Sequence, residues 1–343
     1  MIDTIKIFTA IRRDVAELIS SRSDVKASFS RETGELYYEI ISTSLEGSFS
    51  SSLSVRVSDG GQFGMESKVL ILEGSYHKIC KGQNSYDGFW NVQEVCLGLI
   101  RLVENAYQVK LPKLRHWFLQ RIDITNCYDL HENQKVCRYI NNLSRCQYPR
   151  RKLKFFDDES IYLSGRSTTL KIYNKLLEFK KNDFNKIKIT NFDVVSYINR
   201  IQGFVRFECE IKKKKLVDFY GLKIIRVTQV KYDELESIWR CEFMKLLKLF
   251  DTDLGTVRNK DAVEVRLNNR FGNRRGRTLY NFYISVMVDG AKIVHARMSD
   301  TTFYKNMKDL RDSGIDLVQS NFHIVTEENE IIDFDPFTYE KVV

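Results

Sequence analysis

Three segments of the chain alternate apolar and polar side chains, and this alternation constrains the fold more than any other feature of the sequence. The segments are residues 117–125, 168–173 and 203–211. In an extended chain, successive side chains point to opposite faces. We therefore expect three strands, each with one apolar face and one face of functional side chains. For any single strand, the alternative is the solvated face of a sheet, which usually carries mixed charges.

The three polar faces share residue types that suit one reaction. They carry Arg121, Asp123, Thr125, Lys171, Tyr173, Lys175, Arg206, Glu208 and Glu210. If the strands are neighbours, carboxylates for a hard divalent cation, bases for phosphate groups and a tyrosine nucleophile come together. A phenol has a pKa of about 10, so it needs a metal ion or lysines to attack phosphorus at neutral pH. The combination favours phosphoryl transfer to Tyr173, with cross-strand ion pairs as the alternative use of the charged groups.

The charge of the chain points to a polyanionic partner. Lys and Arg number 54 against 45 Asp and Glu, a net charge of +9, and such an excess suits nucleic acid. The sequence contains no run of about 18 or more apolar residues, so no membrane span is predicted. The start, MIDTIKIFTA, is a strand pattern rather than a signal peptide. Seven cysteines without a Cys-x-x-Cys pair predict free thiols in a reducing cytoplasm.

Two domains are expected, covering residues 1–250 and 251–343. In the second domain, residues 268–277 (NNRFGNRRGR) are interpreted as a loop rich in glycine and arginine. A helix is predicted to start at Ser299, because serine is a preferred N-cap residue. Residues 322–333 predict a hairpin after that helix. Helices followed by a β-ribbon indicate a winged-helix-like DNA-binding domain.

Several motifs resemble those of a known family. They are Met1-Ile-Asp-Thr-Ile-Lys6, Glu73-Gly-Ser-Tyr-His-Lys78, Arg121-Ile-Asp123, the block from Tyr162 to Lys175, Arg206-Phe-Glu208 and the block from Thr301 to Asp316. With these motifs the chain resembles the gene II/gene X replication initiators of filamentous phages and, more distantly, staphylococcal rolling-circle plasmid initiators. The resemblance implies an α+β fold with a five-stranded antiparallel sheet of the His-hydrophobe-His (HUH) type.

The activity implied by the resemblance is nicking and rejoining of one DNA strand at a replication origin through a 5′-phosphotyrosyl intermediate. Tyr173 would be the nucleophile, and Lys171 and Lys175 would contact the scissile phosphate. Tyr162 is the candidate for a second catalytic tyrosine.

The resemblance also implies a Mg²⁺ or Mn²⁺ ion. Asp123 and Glu208 would be its ligands, with His77 as a third and Glu210 as a substitute for Glu208. The sequence departs from the HUH pattern here, because no two of its five histidines are spaced i, i+2. Acidic ligands are expected to replace the histidine pair.

Basic residues outside the strands are expected to contact DNA phosphates or bases. With the strand arginines, the expected contacts are Arg121, Arg166, Arg206, Arg150, Arg151, Lys152, Arg274, Arg275, Lys305 and Lys308. The partners implied are double- and single-stranded origin DNA and a helicase of the bacterial host, since no Gly-x-x-x-x-Gly-Lys-Ser/Thr loop is present. No membrane partner is expected, and the choice between monomer and dimer stays open. The alternative function is a non-enzymatic, sequence-specific DNA-binding regulator of a phage or plasmid.

Overall fold

The described residues of the chain form two compact units. The structure, a computed structural model, describes residues 1–29, 32–33, 36–46, 52–144, 151–156, 159–184, 193–254, 260–289, 291–313, 315 and 334–342. The first unit comprises Met1–Ile140, Arg150–Phe243 and Ile332–Val343, and the second comprises Asn141–Pro149 and Met244–Ile331. The chain thus leaves the first unit after residue 243 and returns to it at residue 332. The sequence, in contrast, predicts a single boundary after residue 250.

An antiparallel sheet dominates the first unit, and its described part contains eleven strands. The strands are β1 (Ile2–Ala10), β2 (Asp24–Phe29), β3 (Leu36–Glu46), β4 (Ser52–Asp59), β5 (Lys68–Gly74), β6 (Phe118–Asp129), β7 (Lys152–Phe156), β8 (Ser160–Ser164), β9 (Thr168–Asn174), β10 (Phe204–Lys212) and β11 (Ile225–Arg226). Their order is β2-β3-β4-β5-β1-β6-β10-β9-β8-β7, and β11 pairs with β6. The α+β class and the antiparallel sheet are confirmed.

The sheet is wider than the five strands expected. Strands β2, β3 and β4 extend one edge, and β8 and β7 extend the other. The sequence predicts no strand at β7 and assigns Lys152 only to a DNA contact. All five of its residues are exposed, so it lacks the buried apolar face that makes a strand visible in a sequence.

Eight helices begin in the described part of the first unit. They are α1 (Arg13–Ser21), α2 (Tyr76–Lys81), α3 (Val92–Tyr107), α4 (Asn133–Ser144), α5 (Lys175–Asn182), α6 (Val194–Arg200), α7 (Lys213–Tyr220) and α8 (Tyr232–Leu254). Helix α8 packs on the apolar face of the sheet, where the Trp239 and Phe243 rings lie 6.5 and 5.2 Å from the ring of Phe207. The alternation of β10 therefore places its odd-numbered residues in the core, as expected.

The opposite face of the sheet is also covered at one end. Leu176 and Phe179 of α5 and Tyr197 of α6 form a buried cluster with Cys127 of β6. Cys127 lies directly opposite Arg206 in the β6–β10 pairing. The polar face of the central strands is therefore partly enclosed and is not an open, solvated surface.

The described part of the second unit is helical. It contains α9 (Lys260–Asp289), α10 (Ala291–Ala296) and α11 (Asp300–Asp312). The prediction of a loop at residues 268–277 is wrong, because these residues are helical on both sides of a break at Gly272. The helix start predicted at Ser299 is confirmed, since the Thr302 N–H donates to the Ser299 hydroxyl at 3.4 Å. The hairpin predicted at residues 322–333 lies outside the described residues, so the winged helix stays a prediction.

No helix among the described residues is both long enough and apolar enough to cross a membrane.

Candidate functional site

The three strands that carry the candidate residues are neighbours in the sheet. Strand β10 pairs with β6 on one side and with β9 on the other. Glu208 lies opposite Thr125 of β6 and Lys171 of β9, while Arg206 lies opposite Tyr173. Residues that face each other directly across an antiparallel pair point to the same side of the sheet. The polar side chains of the three strands therefore share one face, and we call this cluster the polar centre.

Glu208 connects the tyrosine to a lysine in the polar centre. The Tyr173 hydroxyl donates to Glu208 Oε2 at 2.9 Å, and Lys171 Nζ donates to Glu208 Oε1 at 2.6 Å. Glu208 is 4% exposed and Tyr173 is 7% exposed, whereas the Lys171 side chain keeps 23% of its surface exposed. Access to this part of the polar centre is therefore on the Lys171 side.

A second group of charges surrounds Asp123. Arg121 donates to both carboxylate oxygens of Asp123, at 3.1 and 3.2 Å, and to Glu73 of β5 at 2.8 Å. Lys6 of β1 pairs with the other oxygen of Glu73 at 2.8 Å. Asp123 is buried, while Arg121, Glu73 and Lys6 are about a quarter to a third exposed. Arg121, an expected DNA contact, thus has acidic partners of its own at the rim of the polar centre.

Arg206 lies at the enclosed end of the polar centre, and its position corrects the expectation of a DNA contact. Its side chain is fully buried and lies 3.0 Å from Asp3 Oδ2. The N–H groups do not point at that oxygen, so the contact is an ion pair rather than a hydrogen bond. Arg206 Nη1 donates to the backbone carbonyl of Asn84, whose side chain in turn donates to Asp3 at 2.9 Å. Because the guanidinium group has no exposed surface, Arg206 makes its contacts inside the protein and does not reach DNA.

Burial shifts the pKa values of the groups in the polar centre. Burial, aided by the charge of Glu208, raises the pKa of Asp123 well above its usual value and outweighs Arg121. Burial also raises the pKa of Tyr173 well above its usual value, although Arg206 acts in the other direction. For Asp3, burial is the largest influence, but Arg206 and the Asn84 hydrogen bond outweigh it and hold the pKa well below the usual range. Tyr173 is therefore a protonated phenol at neutral pH and needs a proton acceptor to react.

His77 is buried and has no hydrogen-bond partner for either ring nitrogen among the described residues. It sits in α2, whose first turn is capped by the Ser75 hydroxyl, with its ring edge-on to Phe89 at 5.8 Å. Burial lowers the pKa of His77 to about 4. The ring is thus neutral at physiological pH, and its lone pair and its N–H group are not used by any residue in the described part of the chain.

The expected metal ligands fit a divalent cation in their chemistry and only in part in their arrangement. Asp123 and Glu208 are hard oxygen donors whose like charges oppose each other in a buried place, and a divalent cation would relieve this repulsion. However, no three His, Cys, Asp or Glu residues of the described chain are grouped as a metal site. His77 and Glu210 therefore do not complete a three-ligand set with the two acids in this structure.

Lys175 and Tyr162 are the two remaining candidates for the catalytic step. Lys175 is buried against an acid, and Tyr162 lies on the neighbouring strand β8. Lys175, expected at the scissile phosphate, is the first residue of α5, is 1% exposed and donates to Glu178 at 2.6 Å. Burial would raise the pKa of Glu178, but the charges of Lys175 and Lys78 and the hydrogen bond from Lys175 together outweigh it and lower the value to about 2. Tyr162 lies on β8 directly opposite Lys171 and is half-buried. It is thus on the face of the polar centre, one strand further from Glu208 than Lys171.

The other expected DNA contacts divide by exposure. Arg151 was expected to contact DNA, but its side chain is only 7% exposed and pairs with Glu242 at 2.6 Å. Arg275 donates to Asn306 and Asp309, both at 2.7 Å, and so joins α9 to α11. Arg150 lies outside the described residues. The expected contacts with exposed side chains are Lys152, Arg166, Arg274, Lys305 and Lys308.

Sequence reasoning missed Asp3, Asn84 and Glu178, which pair with buried cations of the polar centre. A signal was present for Asp3, because an acid in the third position of an otherwise apolar strand start needs a partner when that strand is buried. Asn84 and Glu178 belong to a loop and a helix, whose side-chain directions do not follow strand alternation. Nothing in the sequence pattern indicates that they approach the sheet.

One protein-family model matches the part of the chain that forms the sheet. The family model Phage_CRI, which describes the N-terminal part of a replication-associated protein, matches residues 1–233. These residues contain all eleven described strands and the whole polar centre. No curated protein and no solved structure gives a significant match. Because the match covers well over half of the 343 residues, the chain belongs to this family, the phage gene II-type rolling-circle replication initiators.

Proposed function

We propose that the protein acts in rolling-circle replication as an enzyme that binds an origin, nicks one strand with Tyr173 and later rejoins it. The contact between the Tyr173 hydroxyl and Glu208 Oε2, at 2.9 Å, carries the proposal. A buried phenol with a raised pKa is a poor nucleophile unless a base lies within hydrogen-bond reach. Glu208 is such a base, and Lys171 holds its second oxygen so that the carboxylate keeps its orientation.

In the nicking step, Tyr173 Oη attacks the scissile phosphorus while its proton passes to Glu208. The bond between phosphorus and the 3′-oxygen breaks, and the departing 3′-oxygen takes up a proton from water to become a hydroxyl. The 5′-phosphate remains bound to Tyr173. In rejoining, a 3′-hydroxyl attacks the phosphotyrosine and the phenol leaves, so the phosphodiester is restored without a nucleotide cofactor.

Lys171 is the cation that we place at the scissile phosphate. Its side chain is the partly exposed member of the Tyr173–Glu208–Lys171 group, and an ammonium group there stabilises the negative charge that develops on the phosphate oxygens. Lys175 is buried against Glu178, so we assign it to the support of α5 beside Tyr173. Tyr162 remains the candidate for a second cut because it lies opposite Lys171.

A Mg²⁺ or Mn²⁺ ion held by Asp123 and Glu208 would supply charge to polarise the scissile phosphate. Occupancy would also favour the ionised form of Asp123, whose pKa is raised in the structure. Arg121, which donates to both oxygens of Asp123 and to Glu73, would compete with the cation for the oxygens of Asp123.

Origin binding is assigned to exposed cations on each unit. Lys152 and Arg166 belong to the first unit, and Arg274, Lys305 and Lys308 to the second. Phosphate contacts of this kind add affinity that falls with salt and carries no sequence information by itself. Helix α11 is the proposed reader of the origin sequence, since Thr302, Lys305 and Lys308 share its exposed surface. Strand unwinding is left to a host helicase.

A non-enzymatic DNA-binding regulator is the second candidate, and the burial of Tyr173 and Arg206 favours it. In that case the polar centre is a satisfied structural core. Nicking separates the two functions directly. The protein is incubated with Mg²⁺ or Mn²⁺ and a supercoiled plasmid that carries the origin of its own replicon, and open circles and protein–DNA adducts are measured.

We expect the wild type to form both products, and Tyr173→Phe to lose the adduct while it still binds the plasmid. Tyr128→Phe is the matched control, because Tyr128 is also buried, points into the opposite face and has no hydrogen-bond partner for its hydroxyl among the described residues. Absence of nicking by the wild type with either metal supports the regulator, and an adduct from Tyr173→Phe removes Tyr173 as the nucleophile.

A further inference from the structure

The edge strand β7 exposes aromatic rings on both of its faces. Phe155 is 40% exposed and Phe156 is 43% exposed. Within the described sheet, β7 pairs with β8 on one side and forms the end of the strand order on the other. Exposed phenylalanines on an edge strand cost solubility and invite unwanted pairing. Their exposure leaves both rings available to a ligand.

The strand register aligns Phe156 with the polar centre. Phe156 lies opposite Ser160 of β8, and Ser160 lies opposite Tyr173 of β9. In the adjacent row, Lys154 lies opposite Tyr162, which lies opposite Lys171. Two strand spacings of about 4.8 Å place β7 about 10 Å from β9. Phe156 and Tyr162 are thus on the same face as Tyr173, while Phe155 is on the other face, opposite Ile161.

The rings of Phe156 and Tyr162 contact each other on the face of the polar centre, and lysines lie on the same face. The Phe156 and Tyr162 ring centroids are 5.4 Å apart, with an angle of 66° between the ring planes. Ser160, opposite Phe156, is small, so the Phe156 ring has room to lean toward Tyr162. Lys152 and Lys154 are exposed and lie opposite Ser164 and Tyr162, so they share this face. Aromatic rings interleaved with lysines are complementary to unpaired bases joined by phosphates.

We propose that Phe156 and Tyr162 form a stacking platform for unpaired bases of the cleaved DNA strand, with Lys152 and Lys154 at the adjacent phosphates. The proposal rests on the nicking function, since it places these bases next to the phosphate at Lys171. Because every base has a π-face, the platform selects single-stranded over double-stranded DNA and does not read sequence. It keeps the strand unpaired and extended across β8 and β9, so that the scissile phosphate reaches the partly exposed side of the Tyr173–Glu208–Lys171 group.

The test measures binding to single-stranded DNA without any cleavage. Tyr173→Phe is used as the background so that no adduct forms, EDTA is present, and the probe is fluorescein-labelled (dT)₂₀, compared with a labelled 20-base-pair duplex. We expect Phe156→Ala to weaken (dT)₂₀ binding by about 5- to 100-fold, the range typical of one lost base–aromatic stack. Duplex binding should change less than twofold. Phe156→Trp should restore (dT)₂₀ binding because it restores an aromatic face.

Phe155→Ala is the matched control, since it removes the same ring with nearly the same exposure from the same strand but from the opposite face. It should leave (dT)₂₀ binding unchanged. Equal losses in Phe155→Ala and Phe156→Ala, or a full affinity in Phe156→Ala, would overturn the platform. In Lys152→Ala/Lys154→Ala, the slope of log affinity against log salt should become shallower by about 1.4, since each phosphate contact on a single strand contributes about 0.7. An unchanged slope contradicts the proposed phosphate contacts.

A binding result of this kind is independent of nicking. If the wild type fails to nick but Phe156→Ala still loses (dT)₂₀ affinity, the platform stands and the enzyme proposal falls. If the wild type nicks but Phe156→Ala binds (dT)₂₀ normally, the enzyme proposal stands and the platform falls.

Discussion

Glu208 accepts hydrogen bonds from Tyr173 and Lys171 on its two oxygens, and the proposed chemistry depends on its charge. Glu208→Gln keeps the size of the side chain and can still accept one hydrogen bond, but it cannot take a proton from the phenol. We predict a nicking rate lower by about 10²- to 10⁴-fold, the usual contribution of a general base. Single-turnover cleavage of an origin oligonucleotide measures it.

Glu234→Gln is the control for that substitution, because Glu234 accepts a hydrogen bond from Tyr220 at 2.9 Å in a tyrosine–glutamate pair outside the polar centre. It should nick at the wild-type rate. Equal rates for Glu208→Gln and the wild type would contradict the role of Glu208 as the proton acceptor.

His77 makes the stability of the first unit depend on pH. Its pKa is lowered to about 4 in the folded state, against about 6.5 in the unfolded chain. As pH falls through 6.5, the unfolded state binds a proton first, so stability is full above about 6.5 and is lost progressively down to about 4. We predict a loss of roughly 2 kcal/mol at pH 5 from this group. Urea unfolding in EDTA at pH 7 and pH 5, compared between wild type and His77→Leu, isolates it; a pH dependence that is identical in the two proteins would refute the prediction.

At the level of residues, strand alternation predicted the membership of the polar centre and not its burial. The period of two places Arg206 and Glu208 on one face whatever covers that face, so their grouping with Lys171 and Tyr173 followed once the strands were neighbours. Whether the face is open depends on α2, α5 and the loop that carries Asn84, which approach it from distant parts of the chain. For that reason Arg206 was expected at DNA and is instead paired with Asp3.

At the level of elements, the break in α9 depends on one residue. Gly272 has φ 75° and ψ 160°, a region of backbone conformation that is essentially restricted to glycine. A Cβ at this position would meet no atom within 4 Å, so a substitution would test the backbone alone. The glycines signal an interruption here, but the segment NNRFGNRRGR was interpreted as a loop because it is rich in glycine and arginine.

We predict that Gly272→Ala lowers the free energy of unfolding of the second unit by about 1–3 kcal/mol, the usual cost of a residue held in such a region. Gly61→Ala in the first unit is the control, since its Cβ also meets nothing within 4 Å and Gly61 has no positive φ; it should leave the hydrogen exchange of its own segment, residues 60–63, unchanged. Hydrogen exchange of α9 and α11 peptides measures the effect. Equal protection in Gly272→Ala and the wild type would show that the break does not depend on glycine.

At the level of the whole molecule, the last described segment belongs to the first unit. The Val342 N–H donates to the Cys127 carbonyl at 2.9 Å. The Phe334 ring lies 5.4, 5.0 and 6.0 Å from the rings of Tyr128, Tyr139 and Phe207. The sequence predicts a single boundary after residue 250, whereas in the structure the chain returns to the first unit at residue 332. The aromatic residues near the end of the sequence were the available signal.

Phe334→Ala should therefore destabilise the first unit, although residue 334 lies more than 80 positions beyond the predicted boundary. We predict a loss of about 3 kcal/mol in its free energy of unfolding, the lower end for a buried Phe→Ala change. Val195→Ala, at a position that is 69% exposed in the same unit, should change it by less than about 0.5 kcal/mol. Urea unfolding followed by tryptophan fluorescence compares them, and equal stability of the two variants would contradict the packing.

The proposed nicking chemistry depends on which tyrosine forms the bond to DNA, and this tyrosine can be identified by mass spectrometry. The adduct formed with an origin oligonucleotide is digested with trypsin and nuclease and analysed by mass spectrometry. Cleavage after Lys154, Arg166, Lys171 and Lys175 separates the two candidates, with Tyr162 in FFDDESIYLSGR and Tyr173 in IYNK. We predict a phosphonucleotide on the peptide with Tyr173 after the first cut. The modification on the Tyr162 peptide alone, or on any other tyrosine, would contradict it.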